Sequence, residues 1–453
     1  MRDIRVIIWG FGAMGSGIAR MLLKKRGVQI VGVVVGREHL HGKDVYEYLE
    51  MERGARPELL FGGKEMIAPG ACDVVLLCTD SFTRNAFDKV KLCVENGLDV
   101  ITTAEEMAWP WAQEPELSME IDRLARKHGA TVFGTGINPG FVLDLLILAI
   151  TGTCEDVRSI EAARINDLSP FGPVVMHEQG VGITPETFKT RLAADDLAGH
   201  VGFPESIAAI AAGLGVEIVE VTQTKDPIIS NVHRETPFAK VEPGNLAGVR
   251  QQGYGKTADG KTFIHLDHPQ QIRPESEGID TGDYITIDTG EYVLKFSGKP
   301  EMPGGIGTIA MIVNMIPQVM NAPAGLTHLL DLPIPHAILG GMNEHVHAFR
   351  EERRVYRAGD CVVLHIQLLP AGERAPGVPE DTAALPLDMW VKGTLLSDAH
   401  TGDTVKVKTA IGREVEGRLT NCCPGYEHDF GGWVPELAQV HRQVVEIVSG
   451  EAR

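Results

Sequence analysis

Residues 8–22 read IWGFGAMGSGIARML, and this stretch decides the fold of the first part of the chain. An apolar, β-rich run at residues 5–9 leads into three glycines, Gly10, Gly12 and Gly15, and a helical run follows them. The first glycine permits a tight turn, the second lets the backbone approach a pyrophosphate, and the third allows the helix to pack closely on the strand. A strand, a glycine turn and a helix in this order predict a dinucleotide-binding loop.

A second strand at residues 29–35 favours this interpretation over a plain tight turn in another α/β protein. The amides of Ala13 and Met14 begin the intervening helix, where the helix dipole favours a bound phosphate. Many NAD-binding folds end the second strand with an acidic residue, whereas this chain has Gly36 and Arg37. Because an arginine can pair with a 2′-phosphate that a carboxylate would repel, the sequence favours NADP, with NAD left open. A solvated surface arginine is the alternative.

Three more apolar strands are expected at residues 73–78, 99–103 and 131–134, and together they predict a doubly wound parallel Rossmann sheet. Loops at the carboxyl ends of such strands line the ligand crevice. Five residues at these strand ends are therefore added as predicted cofactor-binding residues: Cys78, Thr79, Thr103, Gly136 and Asn138. Cys78 is expected to pack at its strand end rather than act as a nucleophile, because no activating neighbour is evident in the sequence.

From residue 156 to residue 296 the sequence pattern changes to β-rich segments broken by glycine loops, with one clear helix at residues 204–214. This alternation predicts an α+β substrate domain built on an open mixed sheet. A strongly apolar helix at residues 308–320 is expected to return to the first domain and tie the two together. We therefore place a dinucleotide-binding domain at residues 1–136, a substrate and catalytic domain at 137–342, a linker at 343–356 and a separate module at 357–453.

The C-terminal module is expected to contain strands at residues 361–369, 389–396, 404–409 and 414–419. Turn signals between them, including a hairpin turn at Ile411 and Gly412, predict a small, mainly β module. It has neither a glycine phosphate loop nor a nucleophile beside a base, which favours a binding or assembly role. No metal site is predicted, because His345 and His347 lack further ligands and the vicinal Cys422–Cys423 pair suits a zinc ion poorly.

Composition limits the function further. The 453 residues carry 42 basic and 61 acidic side chains, a net charge of −19, so broad binding to nucleic-acid phosphates is not expected. No apolar run reaches the roughly 18 residues that span a bilayer, and the first residues show no signal-peptide pattern. Seven cysteines without disulfide-like spacing favour a reducing interior. We expect a cytoplasmic protein with a small-molecule partner and no membrane association.

Several ordered motifs carry a resemblance to a known family: GFGAMGSGIA, CTDSFT, GTGINPGF, GHVGFPES, AGVRQQGYG and IGTIAMIVNMIPQVMNAPAGLTHLLDLPIP. Up to about Met342 the chain resembles the 2,4-diaminopentanoate dehydrogenase family, which belongs to the dihydrodipicolinate-reductase-like dehydrogenases. The resemblance implies NAD(P)-dependent oxidative deamination at C4 of 2,4-diaminopentanoate, giving 2-amino-4-oxopentanoate and ammonia in ornithine fermentation. The paired-histidine motif of dihydrodipicolinate reductase itself is absent.

A second resemblance covers residues 357–448, where RAPGVPEDTAALPLDMWVKGTLL, GDTVKVKTAIGREVEGRL and PGYEHDFG look like the alpha subunit of 2-amino-4-oxopentanoate thiolase. It implies a partner, the beta subunit that carries pyridoxal phosphate, and a coenzyme A-dependent step that consumes the product of the first. A homo-oligomer is also expected. Two alternatives stay open: a C-terminal module that is purely structural, and a dehydrogenase or imine reductase that acts on another amino acid.

Oxidation at an amine carbon needs a base for the ammonium proton and an acid–base group for water addition to the imine. The catalytic candidates are Asn138, Asp167, His200 and Glu205, and the substrate-binding candidates are Arg164, Asn166, His177 and Glu178. Five of these residues have a structural alternative. His200 and Glu205 suit the start of a helix, Arg164 and Asp167 suit a surface pair, and Asn138 suits loop capping, although the resemblance places its loop against the nicotinamide.

Overall fold

The computed structural model describes residues 2–422 except 195, 198, 348, 350–354, 371, 376, 380–381, 383–384 and 401–402. The chain divides into two compact units, Met1–His347 and Ala348–Arg453. The first unit extends beyond the predicted boundary at residue 342, because Val346 is buried and the backbone amide of His347 donates to the Asn321 side chain. No helix among the described residues is long and apolar enough to cross a bilayer.

The first unit begins with the predicted parallel sheet, whose doubly wound Rossmann arrangement is confirmed. Its first strands are β1 (Ile4–Trp9), β2 (Val28–Val34), β3 (Phe61–Gly62), β4 (Val74–Leu77), β5 (Asp99–Thr102) and β6 (Thr131–Gly134). They lie in the order β6-β5-β4-β1-β2-β3, and all pairs are parallel. The helices that accompany them are α1 (Ala13–Leu22), α2 (Val45–Tyr48), α3 (Thr83–Glu95) and α4 (Pro115–His128).

The central strands of this sheet are apolar at nearly every position, because both of their faces are covered. All four residues of β4 and of β5 are buried, for example. The amphipathic helices α3 and α4 contribute Val90, Cys93, Ile121 and Leu124 to the core on one face. This burial fixes the positions of the strands, so the loops at their carboxyl ends share one edge of the sheet.

A second, mixed sheet follows in the same unit, as the sequence predicts. Its long strands are β7 (Ser159–Asp167), β8 (Glu220–Ile229), β11 (Leu246–Lys256), β12 (Thr262–Gln271), β13 (Gly282–Asp288) and β14 (Val293–Gly298). Helix α5 (Leu145–Thr151) precedes β7, and the helices α6 (Pro173–Glu178), α7 (Pro185–Ala193) and α8 (Phe203–Leu214) lie between β7 and β8 in the chain. A separate short pair, β9 (Arg234–Glu235) and β10 (Lys240–Val241), lies between β8 and β11 in the chain. The six long strands lie in the order β14-β13-β7-β12-β11-β8.

Helices α5 and α8 cover one face of the mixed sheet and form a separate core with it. Two glycines of β11 make this close approach possible. A Cβ on Gly253 would lie 3.0 Å from the Phe203 ring, and one on Gly255 would lie 2.8 Å from Cγ2 of Ile207. The start of α8, which carries Glu205, is thereby held against the sheet.

The chain then returns to the first sheet through α9 (Gly304–Asn314), α10 (Ile316–Asn321) and β15 (Gly325–Thr327). Helix α9 packs on α1, where a Cβ on Gly17 would lie 2.2 Å from Cδ1 of Ile309. Strand β15 extends the first sheet, in parallel beside β6. The sequence indicates one helix over residues 308–320, whereas the structure has two helices that meet at Met315, just before Pro317.

The second unit contains the predicted small β module. Its strands are the pair β16 (Val355–Tyr356) and β19 (Ala399–His400) and the longer β17 (Cys361–Leu369), β18 (Leu387–Leu395), β20 (Thr404–Lys408) and β21 (Glu414–Cys422). The four longer strands close into a barrel. Contrary to what the cysteine spacing indicates, Cys361 is disulfide-bonded, because pairing depends on proximity in the fold rather than on spacing. His428 and Cys423 lie outside the described residues.

Candidate functional site

The glycine loop after β1 has the geometry that a dinucleotide needs. Gly10 has φ of +97°, and a Cβ there would lie 2.6 Å from the carbonyl oxygen of Cys78. A Cβ on Gly15 would lie 1.9 Å from the carbonyl oxygen of Gly10, whereas one on Gly12 would meet nothing within 4 Å. No side chain caps the first amides of α1. The loop therefore offers uncapped amides and open space where a pyrophosphate would lie.

The residues predicted to contact the rest of the cofactor lie at the ends of β2, β4, β5 and β6. Arg37 is exposed directly after β2, and within the described chain its guanidinium has no ion-pair partner. Burial raises the pKa of the Cys78 thiol to about 12 despite a hydrogen bond with the Thr103 side chain. The thiol is therefore neutral at pH 7 and suits packing rather than nucleophilic attack. Thr79 hydrogen-bonds to the Asp80 carboxylate beside it.

Asn138 and His200, which are distant in the sequence, meet in the structure. The Asn138 side-chain nitrogen lies 3.2 Å from Nε2 of His200. The two loops are held together because Gly202, at φ of +125°, lies directly against the Pro139 ring. Gln251 fixes the backbone of His200 from the other side, accepting from its amide at 2.7 Å and donating to its carbonyl at 2.8 Å. Two of the predicted catalytic residues thus form one hydrogen-bonded pair.

His200 is neutral in this environment. Burial, together with the charge of the nearby Arg164 guanidinium, lowers its pKa to about 3. His268 of β12 stacks edge-on against His200 with ring centroids 4.9 Å apart, and burial lowers the pKa of His268 as well. A neutral imidazole can accept the hydrogen bond of Asn138, but it cannot supply a proton at pH 7.

The geometry of Arg164 and Asp167 favours structural roles. Arg164 is buried in β7, where Nη1 contacts the Asp283 carboxylate at 2.6 Å and Nη2 donates to the carbonyl of Met302. One carboxylate oxygen of Asp167 accepts from the amide and the hydroxyl of Ser169 and from the amide of Arg273. These contacts close the turn after β7. The two side chains therefore serve their own partners and do not form a pair with each other.

The remaining substrate-binding candidates lie in different environments. Asn166 is buried near the end of β7, and its Oδ1 atom has no hydrogen-bond partner among the described residues. His177 and Glu178 are exposed at the end of α6. An orphaned, buried amide oxygen is costly unless something else satisfies it, so Asn166 stays a predicted ligand-binding residue.

Glu205 is fully buried in the first turn of α8. Its Oε1 accepts from the Gln113 side chain at 2.6 Å, and its Oε2 has no partner in the part of the chain that the structure describes. Burial raises its pKa to about 7, and the Glu106 carboxylate contributes to the same shift. Glu205 can therefore hold a proton near neutral pH, but its side chain is fully buried.

The structure adds a carboxylate that the sequence reasoning did not select, Glu105. It follows β5 directly, and burial raises its pKa even though the Ser81 side chain hydrogen-bonds to it. The negative charge of Glu178 raises the pKa of Glu105 further, so the end of α6 lies near this loop. The rule that selected Thr103, a polar residue at the carboxyl end of a parallel strand, would also have found Glu105.

The neighbouring Glu106 has a different environment. It is buried, and its Oε2 accepts from the amide of Thr83 at 2.5 Å, which satisfies a donor at the start of α3. Of two adjacent carboxylates, Glu106 thus satisfies an amide at the start of a helix, whereas Glu105 has a raised pKa and lies near Glu178.

Comparison with known proteins gives two matches in tandem. A family model described as the 2,4-diaminopentanoate dehydrogenase C-terminal domain matches residues 141–348, and one described as AKP thiolase subunit OrtA matches residues 355–448. The chain is 53% identical over 346 residues to 2,4-diaminopentanoate dehydrogenase of Acetoanaerobium sticklandii, covering 76% of this chain and 97% of that protein. It is 48% identical over 94 residues to the 2-amino-4-ketopentanoate thiolase alpha subunit of the same organism, covering 21% of this chain and 93% of that subunit.

Among solved structures, the amine dehydrogenase from Mycobacterium smegmatis is similar, with 27% sequence identity and a TM-score of 0.65. The similarity covers 75% of this chain and 98% of that one. The shared fold therefore includes both sheets of the first unit.

Proposed function

Because the chain belongs to the 2,4-diaminopentanoate dehydrogenase family and continues into a thiolase alpha-subunit module, we propose that it deaminates 2,4-diaminopentanoate oxidatively at C4. The products are 2-amino-4-oxopentanoate and ammonia, and NAD(P)⁺ accepts the hydride. The enzyme is an oxidoreductase that acts on CH–NH₂ groups. The observation that carries this proposal is the 53% identity over 97% of the length of the dehydrogenase relative.

The acid–base group that we propose is Glu105. Hydride can leave C4 only when the attached amine is neutral, so a base must first take a proton from the ammonium group. The pKa of Glu105 is raised by burial and by Glu178, which makes its carboxylate a better proton acceptor than an ordinary glutamate. After the hydride has left, the protonated Glu105 can return its proton to the departing ammonia as water adds to the imine.

A diamine also explains why two carboxylates lie close together at this edge. The substrate carries two ammonium groups and one carboxylate, so it neutralises part of the repulsion between Glu105 and Glu178 when it binds. We assign Glu105 to the reacting amine and Glu178 to the second ammonium group. We assign hydrogen bonding to the substrate to the Asn138–His200 pair, which is neutral and so carries no charge that would oppose the cation.

For the cofactor, we propose NADP, with NAD as the alternative. The nicotinamide ring supplies only the acceptor for the hydride. The chain itself supplies the amides of Ala13 and Met14 for the pyrophosphate and the free Arg37 guanidinium for the 2′-phosphate. The strand-end residues Thr79, Thr103 and Gly136 are assigned to the remaining contacts.

The C-terminal barrel is proposed to serve the next reaction of ornithine fermentation. The thiolase subunit that it resembles is named an alpha subunit, which implies a second subunit. We propose that this partner carries the pyridoxal phosphate and that it cleaves 2-amino-4-oxopentanoate with coenzyme A. A homo-oligomer and a cytoplasmic location remain predictions.

The activity is tested by following reduction of NADP⁺ and NAD⁺ with 2,4-diaminopentanoate, and with ornithine, meso-diaminopimelate and alanine alongside. Selective turnover with release of ammonia is the expected result. Turnover of another amino acid alone would instead support the second candidate, a related dehydrogenase or imine reductase.

The role of Glu105 is tested by comparing it with its neighbour. Glu105→Gln should lower kcat by about 10²–10⁴-fold with little change in the melting temperature, because glutamine removes the base but keeps an oxygen that can accept from the Ser81 side chain. Glu106→Gln should instead lower the stability by about 1 kcal/mol and leave kcat largely intact, because it weakens the bond to the start of α3. The reverse pattern would show that Glu105 is not the base.

A further inference from the structure

The interior of the C-terminal barrel leaves no room for chemistry. Its core is filled by apolar side chains of all four long strands: Val362, Leu364, Leu395, Val405, Val407 and Leu419. Among the described residues there is also no group of side chains that could hold a metal ion. Whatever the barrel contributes must therefore come from its outer surface.

Most of that outer surface is polar. Strand β20 shows the pattern clearly, because the buried Val405 and Val407 alternate with the exposed Lys406 and Lys408. On the neighbouring β21, Glu416 faces Lys406, with the charged atoms 3.9 Å apart. Such strands suit contact with water and give no reason to expect a partner.

One end of the barrel is different, because four large apolar side chains are exposed there. They are Leu368 (49% exposed), Leu385 (60%), Trp390 (63%) and Ile411 (77%), and we call them the Trp390 end. Strand register places Trp390 of β18 beside His365 of the neighbouring strand β17, and it pairs Leu387 with Leu369 at the end of β17. Leu368 and Leu385 therefore flank the same stretch of these two strands.

The turn that carries Ile411 reaches the same end. It joins β20 to β21, and the early part of β21 lies against the late part of β17, since a Cβ on Gly417 would be 2.5 Å from Cγ1 of Ile366. Leu385 is held in place as well, because the Arg374 guanidinium donates to the carbonyls of Leu385 and Pro386. The apolar groups are thus fixed by strands, a tight turn and an anchored loop.

Polar groups surround this apolar end. His365 lies under the Trp390 indole, with ring centroids 5.1 Å apart, and its Nε2 contacts the Asp388 carboxylate at 2.9 Å. Arg374 and Arg413 lie at its edges. An exposed, orientated tryptophan with apolar neighbours and a charged rim is the composition found at the centre of protein interfaces.

We propose that the Trp390 end is the surface that binds the thiolase beta subunit. The proposal rests on the proposed function, since it needs that partner. The barrel region covers 93% of the length of the related alpha subunit, so the surface by which such a subunit joins its partner must lie within these residues. The Trp390 end is the part of the described barrel where burial would remove the most apolar side-chain surface from water.

The partner surface is expected to be an apolar pocket with a polar rim. The indole of Trp390 would enter the pocket, and Ile411, Leu368 and Leu385 would surround it. Docking at this end leaves the charged faces of β20 and β21 in water.

The test measures binding of the full chain to the purified, pyridoxal phosphate-loaded thiolase beta subunit from the source organism of this chain, by calorimetry. Trp390→Ala and Ile411→Asp should each weaken binding by about tenfold or more, because each removes a central apolar contact. Leu396→Ala is the matched control, because Leu396 is an exposed leucine (43%) that follows the other end of β18. Its binding should be unchanged.

The possible outcomes distinguish an error in the proposed surface from an error in the proposed partner. If the unaltered chain binds and both variants bind equally well, the Trp390 end is not the interface, while the partner assignment stands. If the unaltered chain does not bind, the assignment of the partner fails and this proposal fails with it. Light scattering of the chain alone serves as a further check, since loss of an oligomer in Trp390→Ala would make a second copy the occupant. Ile411→Asp alters an exposed turn outside the core, so it keeps the test valid if Trp390→Ala does not fold.

Discussion

Single carboxylates in the first unit take different roles because their surroundings differ. Glu105, Glu106 and Glu205 are all buried to some degree, but only Glu105 combines a raised pKa with a position near an exposed carboxylate, that of Glu178. Glu106 satisfies an amide of α3, and Glu205 is sealed against Gln113. The residue type is the same in each case, and the neighbours decide the function.

The buried Glu205 should make the stability of the protein depend on pH. Its pKa rises from 4.5 to about 7 on folding, so between these values the folded state holds a proton that the unfolded state has released. Stability should therefore be greatest below about pH 4.5 as far as this group is concerned, and should fall by up to about 3 kcal/mol as the pH rises through 7. Glu205→Gln should remove that part of the dependence, measured as unfolding by urea from pH 5 to 8. Equal slopes for both proteins would contradict the shift.

Arg37 allows a test of cofactor preference at the level of one residue. Arg37→Ala should raise KM for NADP⁺ by about tenfold or more and leave KM for NAD⁺ nearly unchanged, because only the 2′-phosphate loses a charge-assisted partner. Lys43→Ala, a change of a nearby surface cation, serves as the control. Equal changes for both cofactors after Arg37→Ala would mean that the exposed arginine has no part in binding.

At the scale of elements, several glycines are needed where two backbone segments or a helix and a strand pack closely against each other. The first sheet, its helix α1 and the returning helix α9 can pack only because Gly15 and Gly17 carry no side chain. The same holds for α8 on the mixed sheet at Gly253 and Gly255. These contacts connect the cofactor loop, the Glu205 helix and the return segment into one unit.

Two glycines of the strand–turn–helix at the start of the chain are expected to have different roles, one in packing and one in cofactor binding. Gly15→Ala should destabilise the protein by about 1–3 kcal/mol, since its Cβ would overlap the carbonyl of Gly10. Gly12→Ala should fold normally and instead raise KM for the dinucleotide, since its Cβ would enter only the space where the pyrophosphate would lie. Melting curves and cofactor kinetics of the two variants distinguish these effects. A stable Gly15→Ala protein would show that the turn can relax.

For the whole molecule, the division into two units predicts that the dehydrogenase is self-sufficient. A chain that ends after His347 should keep its deamination activity and its cofactor KM, because the two sheets and their cores lie entirely within the first unit. The same truncation should abolish association with the thiolase partner. Steady-state kinetics and calorimetry measure the two properties separately. Loss of deamination would mean that the second unit supports the fold of the first.

The order of the two units along the chain matches the order of the two consecutive reactions in the proposed function. Under the proposed function, the first unit releases an amino ketone, and the second resembles the alpha subunit of the thiolase that would consume it. Covalent linkage would then raise the local concentration of the dehydrogenase near the thiolase partner.

Local features of this protein could be predicted from short stretches of its sequence. The spacing of Gly10, Gly12 and Gly15 specified the dinucleotide loop, and the apolar strands with their alternation specified a parallel sheet, a mixed sheet and a small β module. The turn depends on the backbone freedom of glycine, and each strand depends on its own pattern of apolar residues. Both are visible in a short stretch of sequence.

Only the tertiary structure decided which distant side chains meet. It brought His200 to Asn138 and Glu178 towards Glu105, enclosed Arg164 with Asp283, and added the three-residue strand β15 to the first sheet. A strand of three residues has too little pattern to be recognised, and a pKa depends on charges and burial supplied by other elements. The sequence therefore named most of the candidate residues, whereas the fold assigned their environments and hence their chemistry.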